Sequence, residues 1–303
     1  MSIESHRTFT PSAPCPKCNQ PTFAVSRQNL EKYLLSQPIV CSSCNSEIDW
    51  WSVILYVAKF PSPFALFTLV GATMTIVEVR MKRDQQFLLD LSAADITNDS
   101  RILHLHYTPR GSGLIPQEMH GNTPIRHFIP HTIRLYGVPS GNPTESTPVD
   151  VLVCWVPSTS AEEPWRNVVE AFEAYSIQRF EAAIIPANVA VESRLTKVFH
   201  DLLLHFASKE RIVDFLQTKA TYSYQLNVLL PLVTHYVGFP NLPEHVRGHL
   251  NNLRDLRNEI AHKGKLDSPV DSSSCAKLLC ASLVGFAYIQ LLEDHLNRSS
   301  RYN

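Results

Sequence analysis

Leu253-Arg254-Asp255-Leu256-Arg257-Asn258-Glu259-Ile260-Ala261-His262 is the stretch on which the reading of this chain turns. Val246, Leu250, Leu253, Leu256 and Ile260 recur at the three- and four-residue steps of an amphipathic helix, from about Pro243 to Gly264. At about 100° per residue, Arg257 falls near the middle of the apolar arc, and Arg247, Asn251, Arg254, Asn258 and His262 spread to one side. An arginine on an inward arc needs a partner, because a buried unpaired charge is costly. Asn258 and His262 share a face, whereas Arg257 and His262 are offset by about 140°. The two can meet through the arginine's reach, through loss of helical geometry at His262, or across two subunits.

Helical periodicity extends outward from this stretch. Helices are expected near 164–184, 187–207, 208–219, 221–238, 243–263 and 272–297, with Pro186, Pro240, Pro243, Gly264 and Pro269 as punctuation. Five or six such helices make a bundle around one core. Thr159 to Pro164 reads as the linker leading into it.

Sixteen of the 21 prolines lie before residue 165, so the upstream chain is turn-rich. Phe64–Val70, Thr73–Val79, Gln86–Leu91, Arg101–Tyr107, His127–Tyr136 and Val149–Val156 read as strands, separated by turns such as 109–113 and 139–143. A small antiparallel sandwich or barrel is expected. Arg101, Arg110, Arg126 and Arg134 face a single acid, Glu118, and His104, His106, His120, His127 and His131 lie among them. That excess suits an anionic ligand. The simpler reading is that His104 and His106 mark the solvent face of an alternating strand.

Cys15-Pro16-Lys17-Cys18 and Cys41-Ser42-Ser43-Cys44 carry four of the seven cysteines, with 22 residues between the pairs. Two Cys-x-x-Cys turns can close a tetrahedral thiolate cage, and four sulfurs leave no position for water, so the expected metal is structural zinc. Unrelated reduced thiols, an iron–sulfur cluster and a redox dithiol are the alternatives. The module, about Pro14 to Trp51, resembles a zinc ribbon, a class that binds nucleic acid or protein. Cys154, Cys275 and Cys280 sit in apolar surroundings and read as core residues.

A chain of 303 residues has room for two or three domains, and a net charge of −1 confines nucleic-acid binding to local patches. The first residues lack the apolar core of a secretory signal, and Lys59, Pro61 and Pro63 interrupt the apolar region from Trp50 to Val79. A cytoplasmic location without a membrane segment is expected.

The stretch from Leu253 to His262, following Gln225-Leu226-Asn227-Val228-Leu229-Leu230, resembles the HEPN superfamily (higher eukaryotes and prokaryotes nucleotide-binding) from about Pro164 to Asn303. The resemblance implies a helical bundle, a metal-independent ribonuclease in many members, and a site composed across a homodimer. It matches Arg257 and His262 to the catalytic pair and Asn258 to the polar residue after the arginine. An acid upstream often supports the motif arginine, and Glu192 is the candidate here because it interrupts an apolar helical face; the alternative is a solvated surface acid, with Arg194 and Lys197 nearby. Arg254 and Lys263 are candidate RNA contacts, or else solvated charges near a helix end. The subgroup paired with nucleotidyltransferase antitoxins has a tyrosine two residues after the histidine. Gly264 stands there in this chain.

The expected architecture is multidomain α+β: a flexible lead (1–13), a zinc ribbon (14–62), a β-rich domain (63–158) and a HEPN-like bundle (159–303). The expected function is a dimeric, metal-independent endoribonuclease, a toxin or antiphage defence effector whose N-terminal modules sense a protein or nucleic-acid trigger or the substrate. The alternative is a non-catalytic nucleic-acid- or protein-binding adaptor that dimerises through the bundle.

Overall fold

The computed structural model describes residues 3–22, 25–59, 63–119, 131–141, 146–157 and 162–299. His120, Arg126, His127, Pro143 and Thr159, named above, lie outside them. The chain forms two compact units, Met1–Pro11 with Gly71–Ala161, and Ser12–Val70 with Glu162–Asn303.

In chain order the first segment holds β1 (Ser5–Phe9), β2 (Ala13–Pro14), β3 (Pro21–Thr22), α1 (Arg27–Leu34), α2 (Trp50–Lys59) and a 3-10 helix, Pro63–Val70. Then come β4 (Thr73–Met81), β5 (Gln86–Asp90), β6 (Arg101–Pro109), β7 (Leu114–Glu118), β8 (Thr132–Pro139) and β9 (Thr147–Val156). The helical segment has α3 (Glu162–Ser176), α4 (Phe180–Leu203), α5 (Lys209–Asp214), α6 (Tyr222–Tyr224), α7 (Leu230–Tyr236), α8 (Glu244–Lys263) and α9 (Ser272–Ser299). The chain is therefore mixed α and β, with antiparallel sheets and a C-terminal helical region.

In the first unit, sheets ordered β1-β4-β9-β6 and β5-β8-β7 are antiparallel throughout. Alternate residues of both point into one core that includes Val77, Phe87, Leu105, Leu135 and Val151. Residues 1–13 were expected as a flexible lead, but Ser5–Phe9 pairs with Met74–Glu78 as an edge strand. An edge strand with little burial shows no apolar alternation, so its pairing is invisible in the sequence. Arg80 to Glu4 (2.8 Å) and Ser5 to Glu78 (3.0 Å) hold it.

Phe64–Val70, expected as a strand, is instead the 3-10 helix and belongs to the second unit. An apolar run buried nearly all round carries no period to separate strand from helix. The expected ribbon (14–62) is likewise not a separate module. Its α2 buries Val53, Ile54, Val57 and Ala58, and the Cys280 thiol on α9 reaches the Ile54 carbonyl. An apolar helix face of that size must be covered, and the bundle covers it.

Helix boundaries follow local chemistry in most places. Asp271 caps α9, accepting from the amides of Ser273 (2.8 Å) and Ser274 (3.0 Å). Gly264, at φ 74°, ends α8 in the left-handed conformation and returns its amide to the Ile260 carbonyl at 2.8 Å. Pro186 does not divide two helices as expected; α4 runs through it. The break falls at Ile177–Arg179, where Gln178 adopts φ 62°. A proline in a long, well-packed helix costs hydrogen bonding, and burial of its neighbours Ala183, Ile184, Ala187 and Ala190 offsets that.

Among the described residues one helix, Ser272–Arg298, is long and apolar enough to cross a membrane, and 83% of its most apolar window is buried inside the chain. That is the burial of a core helix. Gly285 lets α8 approach it closely, since a Cβ there would lie 2.9 Å from Leu250 Cδ1. Gly285→Val is expected to destabilise by about 1–3 kcal/mol through overpacking, despite a better helix propensity. A denaturant midpoint equal to or above that of wild type would contradict this packing.

Candidate functional site

Two features stand out in the second unit. The first is the cysteine cluster. Its four Sγ atoms lie within 4.8 Å of one another, with Cys15 to Cys44 at 3.8 Å and Cys18 to Cys41 at 3.7 Å. A tetrahedron with metal–sulfur bonds of about 2.3 Å has edges of about 3.8 Å, so the donor set fits a zinc-sized ion. A disulfide would need about 2.05 Å.

The two knuckles repeat one geometry. The Cys15 amide donates to Gln20 O and the Cys41 amide to Ser46 O, each at 2.9 Å. Asn19 and Asn45 follow the second cysteine of each pair in the left-handed conformation, at φ 58° and 54°. Asparagine tolerates that conformation better than other residues with a Cβ. The matched asparagines, one after each Cys-x-x-Cys, are a sequence signal of this shared turn. Amides of Ser43 and Cys44 lower the Cys41 thiol, and the Ser46 hydroxyl and amide bring Cys44 down to about 6. Cys18 is pushed up to about 12, because burial and the neighbouring thiols outweigh the lowering by the Gln20 amide. The cluster can thus hold a structural metal such as zinc, which would keep all four as thiolates.

This module is joined to the first turns of α8. Tyr33 hydrogen-bonds His245, and Trp51 stacks on His249 at 6.0 Å with 12° between the rings. Burial lowers both imidazoles, Asp49 opposing the effect at His245 while His245 and Lys277 add to it at His249. The helix that carries the Arg257 motif is therefore anchored at its start by the cysteine module.

The second feature is a polar cavity of about 450 Å³ lined by Glu192, Thr221, Tyr222, Ser223, Arg254, Asp255, Arg257 and Asn258. It gathers α4, α6 and α8. Arg257 lies 4.0 Å from the Glu192 carboxylate and donates to Asn258 Oδ1 at 3.0 Å. Glu192 is steadied from below by the fully buried Asn188, whose Nδ2 donates to it at 2.9 Å.

Polar ties fix the walls. Gln225 accepts from Thr196 Oγ1 at 3.0 Å and donates to Ala220 O at 2.8 Å, holding the turn before α6 against α4. Asn227 and Asn251 exchange amide hydrogen bonds of 2.9 and 3.0 Å between that segment and α8. Gln225–Leu229 is a π-helical turn. Pro231, just beyond it, has no amide to return to the Asn227 carbonyl.

No family model matches this chain, no curated protein matches it, and no solved structure matches it. The site is therefore read from its own chemistry.

Of the residues singled out by sequence, the structure brings Glu192, Arg254, Arg257 and Asn258 to one cavity. His262 is not among its lining residues; it is exposed and makes no hydrogen bond or ion pair among the described residues. Because α8 stays helical to Lys263, the offset of about 140° persists, and unwinding at His262 is excluded as a route to Arg257. Lys263, expected as an RNA contact, is engaged by Asp267 and by Glu259 at 3.5 Å, and the Asp267 carboxylate raises its pKa. Its position at the helix end is that of a local clamp. Arg254 is held by Asp255 (2.7 Å) and Asn251 (3.1 Å), with its head at the cavity.

The cationic excess expected over residues 101–134 is reduced within the first unit. Arg110 is paired with Asp150 at 2.6 Å and Glu78 at 3.1 Å. Burial, with His106 nearby, pushes His104 down to about 3, so it is neutral. A bulge between Ile102 and His104 breaks the simple alternation expected there. Cys154, Cys275 and Cys280 are buried, as expected of core thiols.

Proposed function

We propose that this chain is a metal-independent endoribonuclease of HEPN type that works as a cytoplasmic homodimer, with a zinc ribbon built on Cys15, Cys18, Cys41 and Cys44. The observation that carries the proposal is the meeting of Arg257, Asn258 and Glu192 in one polar cavity. Attack of an RNA 2′-OH on the adjacent phosphorus forms a 2′,3′-cyclic phosphate and expels the 5′-oxygen. A base takes the 2′-OH proton, an acid returns one to the 5′-oxygen, and Arg257 stabilises the charge gathering on the phosphoryl oxygens. His262, supplied by the second copy, carries the proton.

Two further features support it. Arg247, Asn251, Arg254 and Asn258 share one face of α8, where a second recess of about 410 Å³ includes Arg247 and Asn251, so a polymer has a track beyond one pocket. Tyr224, Val228, Leu232 and Tyr236 are 44%, 42%, 62% and 87% exposed along one helical stripe, a surface suited to association with another copy. In this reading the chain is a toxin or antiphage defence effector, and the N-terminal modules sense a protein or nucleic-acid trigger.

The same exposed stripe favours the adaptor alternative, in which the bundle dimerises without chemistry. An RNA-cleavage assay without added divalent metal separates the two. Cyclic-phosphate products from wild type, absent with Arg257→Ala and with His262→Ala, are the expected result. Equal cutting by either variant, or none by a wild-type dimer in the presence of its trigger, would leave the adaptor.

A further inference from the structure

Tyr222 was not singled out by its sequence context. It is 6% exposed, lines the cavity beside Glu192, Arg254 and Arg257, and its hydroxyl is buried with no hydrogen-bond partner among the described residues. An unsatisfied buried hydroxyl is destabilising, and each one calls for an explanation such as a water, an ion or a ligand. Its neighbours sharpen the contrast. Gln225, three residues on, has both ends of its amide satisfied, and the Thr221 hydroxyl accepts the Tyr224 amide at 3.4 Å. Gln225 and Thr221 are partnered, whereas the Tyr222 hydroxyl and, behind Glu192, the Asn188 Oδ1 have no partner among the described residues.

A phenol that keeps its proton is a donor seeking an acceptor. Burial, reinforced by the Glu192 carboxylate, holds the Tyr222 phenol well above its usual range, so the proton stays. Arg254 and Arg257 add fork-shaped cationic donors, and a phosphate oxygen is the acceptor that suits this combination. The cavity, about 450 Å³, has room for a phosphate with part of its nucleoside.

We infer that this cavity binds the phosphate of a nucleotide, with Tyr222 as a buried donor to it and Arg254 and Arg257 as its charge partners. The hydroxyl is fully buried, so contact with a phosphate requires the side chains around it to shift and bring it into reach. The inference deepens the ribonuclease reading and rests on it for the ligand class. Tyr222 is a binding residue here, not a proton carrier.

The test measures binding of a 2′-O-methyl RNA decamer, which cannot cleave itself, and separately of AMP, to the full chain and to Tyr222→Phe and Arg254→Gln. Tyr222→Phe is expected to weaken binding about tenfold or more, the usual effect of losing a hydrogen bond to a charged group. Removing the unsatisfied hydroxyl should also raise the thermal midpoint by about 2–4 °C, which a merely structural tyrosine would not do. Arg254→Gln should weaken binding in the same direction. Weakened decamer binding supports a phosphodiester of a chain as the ligand; weakened AMP binding alone supports a free nucleotide. Unchanged affinity in Tyr222→Phe, binding of neither probe by wild type, or a lowered midpoint without a binding defect overturns the inference. If unmodified RNA stays intact while Tyr222→Phe still weakens binding, only the ribonuclease reading fails. If Tyr222→Phe binds and cuts as wild type does, this inference fails and the ribonuclease reading stands.

Discussion

Serine in place of Cys41 and Cys44 is expected to cost the second unit at least about 3–5 kcal/mol and to abolish metal binding, because structural zinc binding is folding free energy. Structural zinc in isolated finger peptides contributes about 10–16 kcal/mol, against a total of about 5–15 kcal/mol for a typical domain. The module is tied into the bundle through Tyr33, Trp51, His245 and His249. Its loss should therefore spread, and amide exchange in the first turns of α8 should accelerate. Cys280→Ala, which removes an ordinary buried thiol, is the control and should leave metal content at about one ion per chain. Protons compete for thiolates, so metal should also leave as the pH falls. Wild-type protein holding much less than one ion per chain, or a double serine variant with an unchanged unfolding midpoint, would remove the metal assignment.

Alanine at Arg257 is expected to lower RNA cleavage by about 100- to 1000-fold, the scale of losing one donor to a developing oxyanion. Stability should change little, since its side chain is 36% exposed and its carboxylate partner Glu192 lies 4.0 Å away. His262→Ala should likewise abolish turnover without altering the fold. The offset of the two residues on an unbroken helix makes a stronger demand, that Arg257 of one copy act with His262 of the other. In an equal, freely exchanging mixture of the two inactive variants, half of the dimers are heterodimers, each with one site of two intact. About a quarter of wild-type activity should return. No recovery from that mixture would overturn the two-subunit geometry, and full activity of either variant alone would sink the catalytic reading itself.

The legibility of this chain varied with how local the deciding physics was. The α8 pattern was readable because Val246, Leu250 and Leu253 repeat with the helical period and are buried together. The α9 start was readable from its neighbours, and the core strands β4 and β9 from alternation. Pro186 misled because a proline signals a break only when packing does not outweigh it. Phe64–Val70 misled because complete burial erases period. Tyr222 was opaque for a different reason: an orphaned hydroxyl is defined by what surrounds it, and those neighbours come from α4 and α8, far away in sequence.

By itself the sequence determined that two Cys-x-x-Cys knuckles can share one ion, that a β-rich part precedes a helical one, and that Arg257 and His262 lie on different sides of one helix. Spacing and period are properties of the chain and need no partner to be read. Only the tertiary structure decided that the cysteine module belongs with the bundle and grips the start of α8, and that Glu192 and Tyr222 meet Arg257. Those are choices among competing burials, each settled by the apolar faces and unsatisfied polar groups that the rest of the chain could cover.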